Sequence, residues 1–387
     1  MDTRLFVLSI GSFVGTMESF VLPGLLPSMA SELNLTASQV GYLVFAYSLA
    51  YALAGPVLSS FFGSTDRRRT LSIAELIFGC SALFMAAMPI FALIVSGRIV
   101  LAAGAVLFTT MAQATAIALS APEYRGRAVS IVVTGGTVAV AIGAPLGAML
   151  AARYGWRVTY GLVGLIALAA SLVIWLRLPR GITGPRLPLR ERLAVLGNRG
   201  MPVALLMSFL YMVGAFMPAI YVAAISFDAM GMEKAWLPLV LFANGLGAFA
   251  GGIVGGQVAD RFGPYRSYVV NAIVAAIVFS LISVLPLLPA PFHSPVWLAL
   301  MFLAGLLGWA LFSGQVALFA ILAPTSVPLA VSLNLSAVSV GAAIAALIGG
   351  LVIDLFGAGA IGVTAAACAL LGLGLAFAYR ETLSGQR

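Results

Sequence analysis

The stretch Leu178–Gly200, LPRGITGPRLPLRERLAVLGNRG, is the one long polar connection in the chain. It holds arginines 180, 186, 190, 192 and 199 together with three prolines, and it falls almost at the midpoint of 387 residues. On both sides of it the sequence is a succession of long apolar runs, broken only by short groups of Gly, Pro and charge. Overall 62% of residues are hydrophobic and 8% are charged, whereas a soluble domain carries roughly 25% charged residues. So little charge cannot cover a water-facing surface of this size. A helix crossing the hydrocarbon of a bilayer needs about 20 largely apolar residues. Runs of that length fall roughly at 5–29, 39–62, 71–88, 91–119, 128–151, 158–177, 201–226, 236–258, 267–287, 296–322, 329–353 and 358–379. The expected fold is an all-α membrane protein with twelve transmembrane helices in two six-helix halves. The halves are residues 1–177 and 201–387, and residues 178–200 form a cytoplasmic linker. A soluble enzyme, a disulfide scaffold, a disordered chain and a barrel of alternating strands are excluded.

The net charge of +8 follows topology rather than a nucleic-acid partner. Of the 20 Lys and Arg residues, sixteen (Arg4, Arg67, Arg68, Arg69, Arg125, Arg127, Arg177, Arg180, Arg186, Arg190, Arg192, Arg199, Arg261, Arg266, Arg380 and Arg387) share one side. Arg98, Arg153, Arg157 and Lys234 do not. The positive-inside rule then places both termini in the cytoplasm, in the inner membrane of a bacterium. Met1 to Arg4 lead straight into an apolar run with no small-residue cleavage pattern, so the first span is read as retained. Cys80 and Cys368 lie inside apolar runs and imply neither a disulfide nor a metal site, and no cofactor is expected.

The halves resemble one another. Gly252 to Arg266 (GIVGGQVADRFGPYR) overlays Gly55 to Arg69 (GPVLSSFFGSTDRRR) at an offset of 197 residues. Gly147 and Gly155 match Gly349 and Gly357 at an offset of 202. A parallel repeat of six-span halves suits a transporter with its substrate site between repeats.

Ionisable residues inside spans are costly and few. Glu18 lies about 13 residues into the first span, roughly 20 Å deep at 1.5 Å per residue. Burial penalises its charged form, which suits a group that takes up and releases a proton; a neutral, hydrogen-bonded structural acid is the alternative. Arg98 lies roughly 12 Å into the fourth span from the opposite face, close to the depth of Glu18 in a core of about 30 Å. Either the two neutralise each other, or Arg98 tunes the acid through the cavity, or Arg98 snorkels to the surface. Tyr47, Gln113, Asn244, Gln315 and Asn334 are polar residues within spans, candidates for the substrate cavity or for interhelical glue. Glu75 and Asp228 read as boundary residues at span ends. The 42 glycines read first as packing; in the fifth span Gly135, Gly136, Gly143 and Gly147 with Pro145 would permit a kink and close approach.

The string GLLPSMASELNLTASQVGYLVFAYSLAYALAGP (Gly24–Pro56), the sequence Gly143-Ala144-Pro145-Leu146-Gly147 and the run Tyr154-Gly155-Trp156-Arg157 resemble the major facilitator superfamily. Within it they are most similar to the twelve-span drug-proton antiporter branch and its arabinose, sugar and chloramphenicol efflux proteins. The resemblance implies an antiporter motif at Gly143, Pro145 and Gly147, and a proton-coupling role for Arg98. It also implies loop motifs that latch the halves together. The second copy is Asp260-Arg261-Phe262-Gly263. The first keeps only Arg67, Arg68 and Arg69, with Asp66 where the family has a second Gly. In span one Ser19 stands where the branch has its acid, and Glu18 lies one position earlier.

The expected activity is secondary active transport, proton-coupled efflux of a drug, sugar or metabolite by alternating access, with protons, the bilayer and a small molecule as partners and the protein as monomer. Uptake or uniport by the same fold is the alternative. A membrane enzyme is disfavoured: His293 is the single histidine, so no paired-histidine zinc motif exists. No phosphate loop is read in these residues, and a receptor is disfavoured because no soluble output domain is expected from them. The orientation has a direct check: a cysteine at Ser384 should resist an impermeant thiol reagent in intact cells and react once the cells are opened.

Overall fold

The computed structural model describes residues 3–121, 124–184, 194–324 and 327–383. Arg186, Arg190, Arg192, Arg387 and Ser384 lie outside the described residues, as does the central part of the linker. The regular structure of the described residues is all helical, without strands, and twelve helices are long and apolar enough to cross a membrane. They are α1 Arg4–Leu33, α2 Ala37–Phe62, α3 Arg67–Ala87, α4 Phe91–Ala118, α5 Arg125–Tyr154, α6 Trp156–Arg177, α7 Met201–Ile220, α8 Leu237–Phe262, α9 Pro264–Val284, α10 His293–Leu322, α11 Val327–Phe356 and α12 Ile361–Ala378. Spans three and four, which the hydropathy barely separates, part at Met88: the ring of Pro89 forces the preceding residue out of the helical region, and Met88 is extended at φ −83°, ψ 132°. Prolines inside α1 (Pro23, Pro27), α2 (Pro56) and α7 (Pro218) are accommodated within continuous helix, as bundle neighbours in a membrane allow.

The chain divides into two compact units, Met1–Asn34 with Ala46–Leu189, and Leu35–Phe45 with Arg190–Arg387. In the first unit α1 packs on α5, and α3 packs on α4 and α6. In the second, α7 packs on α11, and α9 on α10 and α12. The same pairings recur six helices later. The turn glycines recur with them: Gly155 (φ 86°, ψ 158°) and Gly357 (φ 82°, ψ 167°) adopt one conformation, a region open essentially to Gly alone. The first turns of α2 count with the second unit, where Ser38 Oγ donates to the Asp354 carboxylate.

Close approach is made at glycines. In the first unit the Cβ positions of Gly135, Gly136, Gly143 and Gly147 on α5 fall against Ser9, Thr16, Met17 and Val21 of α1. Pro145 has no N–H to donate back along α5, and the five residues before Ala144 form a π turn (Ala139–Gly143). Such a bulge lets a helix absorb an irregular position without ending. In the second unit α8 and α10 interlock: Gly247, Gly251 and Gly255 face the backbones of Phe302, Leu306 and Ala310, and Gly305 faces that of Asn244. A side chain at Gly251 would meet the Leu306 carbonyl, whereas nothing lies within 4 Å of the Cβ position of Gly256. Gly251→Leu should therefore lower thermal stability in detergent by about 1–3 kcal/mol, and Gly256→Leu should leave the unfolding midpoint close to the parent's.

Candidate functional site

The first unit holds a charge cluster in its apolar interior. Glu18 on α1 is 0% exposed and Arg98 on α4 is 1% exposed. Arg98 Nη1 donates to Glu18 Oε1 at 2.6 Å and to the Tyr160 hydroxyl at 2.7 Å. Tyr160, on α6, in turn donates to Glu18 Oε1 at 3.0 Å. Three helices therefore meet at one carboxylate oxygen. The other, Oε2, is buried without a hydrogen-bond partner. Arg98 does not snorkel: its guanidinium lies 4.9 Å from the centre of the Tyr47 ring. Ser19 points elsewhere, donating to the Tyr47 hydroxyl at 2.9 Å. The one-residue displacement of the acid thus has a structural sense, with Glu18 turned to Arg98 and Ser19 to α2. A buried ion pair of this kind is not a large net stabiliser, but removing one partner costs about 3–5 kcal/mol, because the other charge is left uncompensated.

Three participants went unrecognised in the sequence. Tyr160 is one; its signal was the spacing from Trp156, one turn earlier on the same helical face. Glu32 is the second. At the far end of α1 it accepts from Trp156 Nε1 at 2.6 Å and from Arg157 Nε at 2.8 Å. Arg157 Nη1 also donates to the carbonyls of Ala86 and Met88 at 2.8 Å each. The Gly155-Trp156-Arg157 run is therefore a clamp on the ends of α1 and α3. The third is Glu75, expected at a span boundary but only 2% exposed, because α3 begins at Arg67, two turns earlier, and turns this residue inward.

The remaining candidates divide. Tyr47 is buried beside Arg98. In the second unit Asn334 Nδ2 donates to Gln315 Oε1 at 3.1 Å, and both are buried. Asn244 is tied to the Met301 carbonyl at 3.1 Å, holding α8 to α10. Gln113 is exposed. Gly143 and Gly147 lie on the α5 face against α1, and Pro145 between them is buried. Of the loop residues, Arg67 is buried with Nη1 against Met111 Sδ. Arg68 lies 4.6 Å from the Trp175 ring centre. Arg69 is exposed, as are Asp260 and Arg261, the latter over Phe262.

The two loop copies use different chemistry at matching positions. Gly263 turns the chain with φ 85° and no side-chain cap. Asp66 instead has φ −59° and caps α3, accepting from the N–H groups of Arg68 at 2.9 Å and Arg69 at 3.4 Å. Its second oxygen accepts from Gly181 N–H at 2.6 Å, and Arg67 N–H donates to the Ile182 carbonyl at 2.8 Å. The chain after α6 is thereby tied to the start of α3.

A sequence model of the Major Facilitator Superfamily matches residues 8–321, and the chain belongs to that family. It is a multi-pass membrane protein and a secondary transporter of small molecules, not an enzyme. It is 30% identical over 261 residues to an uncharacterized MFS-type transporter, YbcL, of Bacillus subtilis (strain 168), covering 67% of each chain. It is also 30% identical over 267 residues to a chloramphenicol resistance protein of Streptomyces lividans, covering 67% of this chain and 68% of that one. In fold it is similar to a bacterial homologue of the human lysosomal transporter Spinster, with a TM-score of 0.78 at 17% identity over 99% and 97% of the two chains. A D-xylose-proton symporter gives 0.77 at 16% identity over 99% and 98%.

Burial works against the charge of Asp66, but the N–H groups of Gly181, Arg69 and Arg68 and the Arg68 guanidinium hold its carboxyl below the ordinary range. A depressed folded-state value means stability that is present above the unfolded value, about 3.9, and lost as pH falls through the folded one. Asp66→Ala should cost about 1 kcal/mol at neutral pH through the lost cap. The gap in unfolding temperature between parent and variant should narrow as pH falls below about 4.

Proposed function

We propose that the protein is a proton-coupled exporter of a small organic solute, with Glu18 carrying the coupled proton and Arg98 and Tyr160 tuning it. The carrying observation is the buried triangle in which Glu18 Oε1 is held by Arg98 and Tyr160 while Oε2 has no partner. The ionised acid is compensated by Arg98; a proton added at Oε2 neutralises the carboxylate and leaves Arg98 as an uncompensated cation in a low dielectric. Each protonation state therefore favours a different arrangement of α1, α4 and α6, which is what coupling requires. Export is supported by the relative named for chloramphenicol resistance. A cytoplasmic position for both termini is supported by the arginine distribution. In the first unit Tyr47, beside the cluster, is a proposed polar contact for the solute; in the second unit, taken by itself, the Gln315–Asn334 pair is another. Amphipathic character in the solute is supported by the apolar composition of the spans around them.

The experiment uses cells overexpressing the protein, challenged with chloramphenicol and a panel of amphipathic compounds with and without an uncoupler. Purified protein in vesicles with an internal pH-sensitive dye then follows for the exported compound. Glu18→Gln imitates the protonated acid and should retain solute binding while losing transport driven by a pH gradient. Arg98→Ala should lower solute-driven proton flux, because the Glu18 carboxylate is left without its buried counter-ion. Undiminished solute-dependent proton flux in the Glu18→Gln protein would remove Glu18 from the mechanism.

A further inference from the structure

The first unit contains a second buried acid that the Glu18 cluster does not use. Glu75 lies eight residues past Arg67, about 12 Å along α3. Its side chain is buried, and Oε2 has no hydrogen-bond partner. Its Oε1 rests against α1, 2.7 Å from the Cβ position of Gly11, with the Phe108 ring beside it. Glu75 forms no ion pair among the described residues. The charged and titratable groups on the elements around it are engaged elsewhere or stand off. On α1, Arg4 and Glu18 are each seven residues from Gly11, about 10 Å along the axis. On α3 itself, Arg67 is against Met111, Arg68 is over Trp175 and Arg69 is exposed. On α4, Arg98 is bonded to Glu18, and on α6 Tyr160 belongs to the same cluster. Arg177 lies at the α6 terminus. A carboxylate here would be an unpaired buried charge, and the partner that satisfies it is a proton.

The two acids meet the same helix, α1, about two turns apart. Gly11, Gly15 and Glu18 are spaced i, i+4 and i+7, so they share one face of α1. Nothing lies within 4 Å of the Cβ position of Gly15. Gly11 and Glu18 are about 10 Å apart along this face, which buried Val14 shares, a span matched by a stripe of roughly three hydrogen-bonded waters at about 2.8 Å each. Both ends present a carboxyl oxygen without a protein partner.

We propose that Glu75 is a second proton-binding carboxyl of the transport cycle, through which the proton on Glu18 exchanges with the aqueous phase at the Arg67 end of α3. The inference rests on Glu18 being the coupled acid. The step is proton transfer alone. Glu75 first gives its proton to the aqueous phase and becomes a carboxylate. The O–H bond at Glu18 then breaks as a water of the stripe accepts the proton, and the last water delivers one to Glu75.

The test needs no identified solute. Purified protein in nanodiscs is taken through a pH jump while an indicator dye reports released protons and infrared difference spectra report the carbonyl stretch of protonated carboxyls. The parent should show two buried carboxyls that titrate, and Glu18→Gln and Glu75→Gln should each remove one. Glu75→Gln and Glu75→Met should slow proton release from Glu18 by roughly a hundredfold, Glu75→Asp should restore part of the rate, and Gly15→Val should slow release with both carboxyl signals retained. A Glu75 signal that never changes with pH, together with parental release in Glu75→Gln, would overturn the proposal and leave Glu75 a structural acid. If Glu75→Gln fails to fold, Gly15→Val decides, and parental release in that variant rejects the path. Loss of the Glu18 reading is separately visible, as solute-driven proton flux that survives Glu18→Gln.

Discussion

One carboxylate oxygen, Glu18 Oε1, joins three helices of the first unit through Arg98 and Tyr160. In an apolar bundle the attraction between α1, α4 and α6 is otherwise dispersion and weak hydrogen bonding, because lipid tails compete on equal terms for apolar side chains. An ion pair in that setting is strong and directional, and its strength depends on a single proton. Neutralising Glu18 removes the Coulomb term but not the desolvation already incurred by Arg98. In the proposed cycle, the helices that converge on this point are the ones whose packing responds to the proton.

Such a switch needs a bundle that is close-packed around it yet able to slide. The α1–α5 contact supplies this. Gly135, Gly136, Gly143 and Gly147 present backbone to Ser9, Thr16, Met17 and Val21, while Ala128 and Val132 of α5 pack with Leu5 and Leu8 of α1 nearer its start. The π turn before Pro145 adds an irregular position in mid-helix, where the hydrogen-bond ladder is already broken and bending costs least. At the end of α1, Glu32 is clamped by Trp156 and Arg157. One end of the helix is thus anchored, while its middle, which carries Glu18, faces glycine.

The twelve helices and the recurrence of turn glycines were legible in the sequence because hydropathy and positive-φ glycine are local signals. Gly155 and Gly357 needed no tertiary information to be matched, and they share a conformation. Depth was legible too, since rise per residue places Glu18 and Arg98 at one level. Facing was not. Sequence distance could not show that Tyr160 completes the cluster, that Gln113 is exposed, or that Asn244 is spent on the Met301 carbonyl. Glu75 was misplaced for the same reason: residues eight positions into a helix are boundary or core according to which side faces the neighbours, and α4 and α6 decide that. Asp66 taught the converse. Read as a damaged glycine motif, it is an intact helix cap, because a side-chain acceptor at φ −59° and a glycine at φ 85° are two solutions to starting a helix after a tight turn.

The two units share a packing plan but not an electrical one. The buried charged side chains among the described residues are Glu18, Arg67, Glu75 and Arg98, all in the first unit. The second unit fills its interior with neutral pairs instead: Asn334 with Gln315, Tyr211 with Asn271 at 2.6 Å, and Trp297 with Ser226 at 2.9 Å. Its acids among the described residues, Asp228, Glu233, Asp260, Asp354 and Glu381, are exposed. The proposed change in proton occupancy would therefore do its electrostatic work on α1, α3, α4 and α6, because among the described residues the second unit buries no charged side chain. The repeat that built the fold from two similar halves has left ionisation to one of them. Under the proposed mechanism, neutral hydrogen-bonding groups in the other half would meet a polar solute without adding a proton equilibrium of their own.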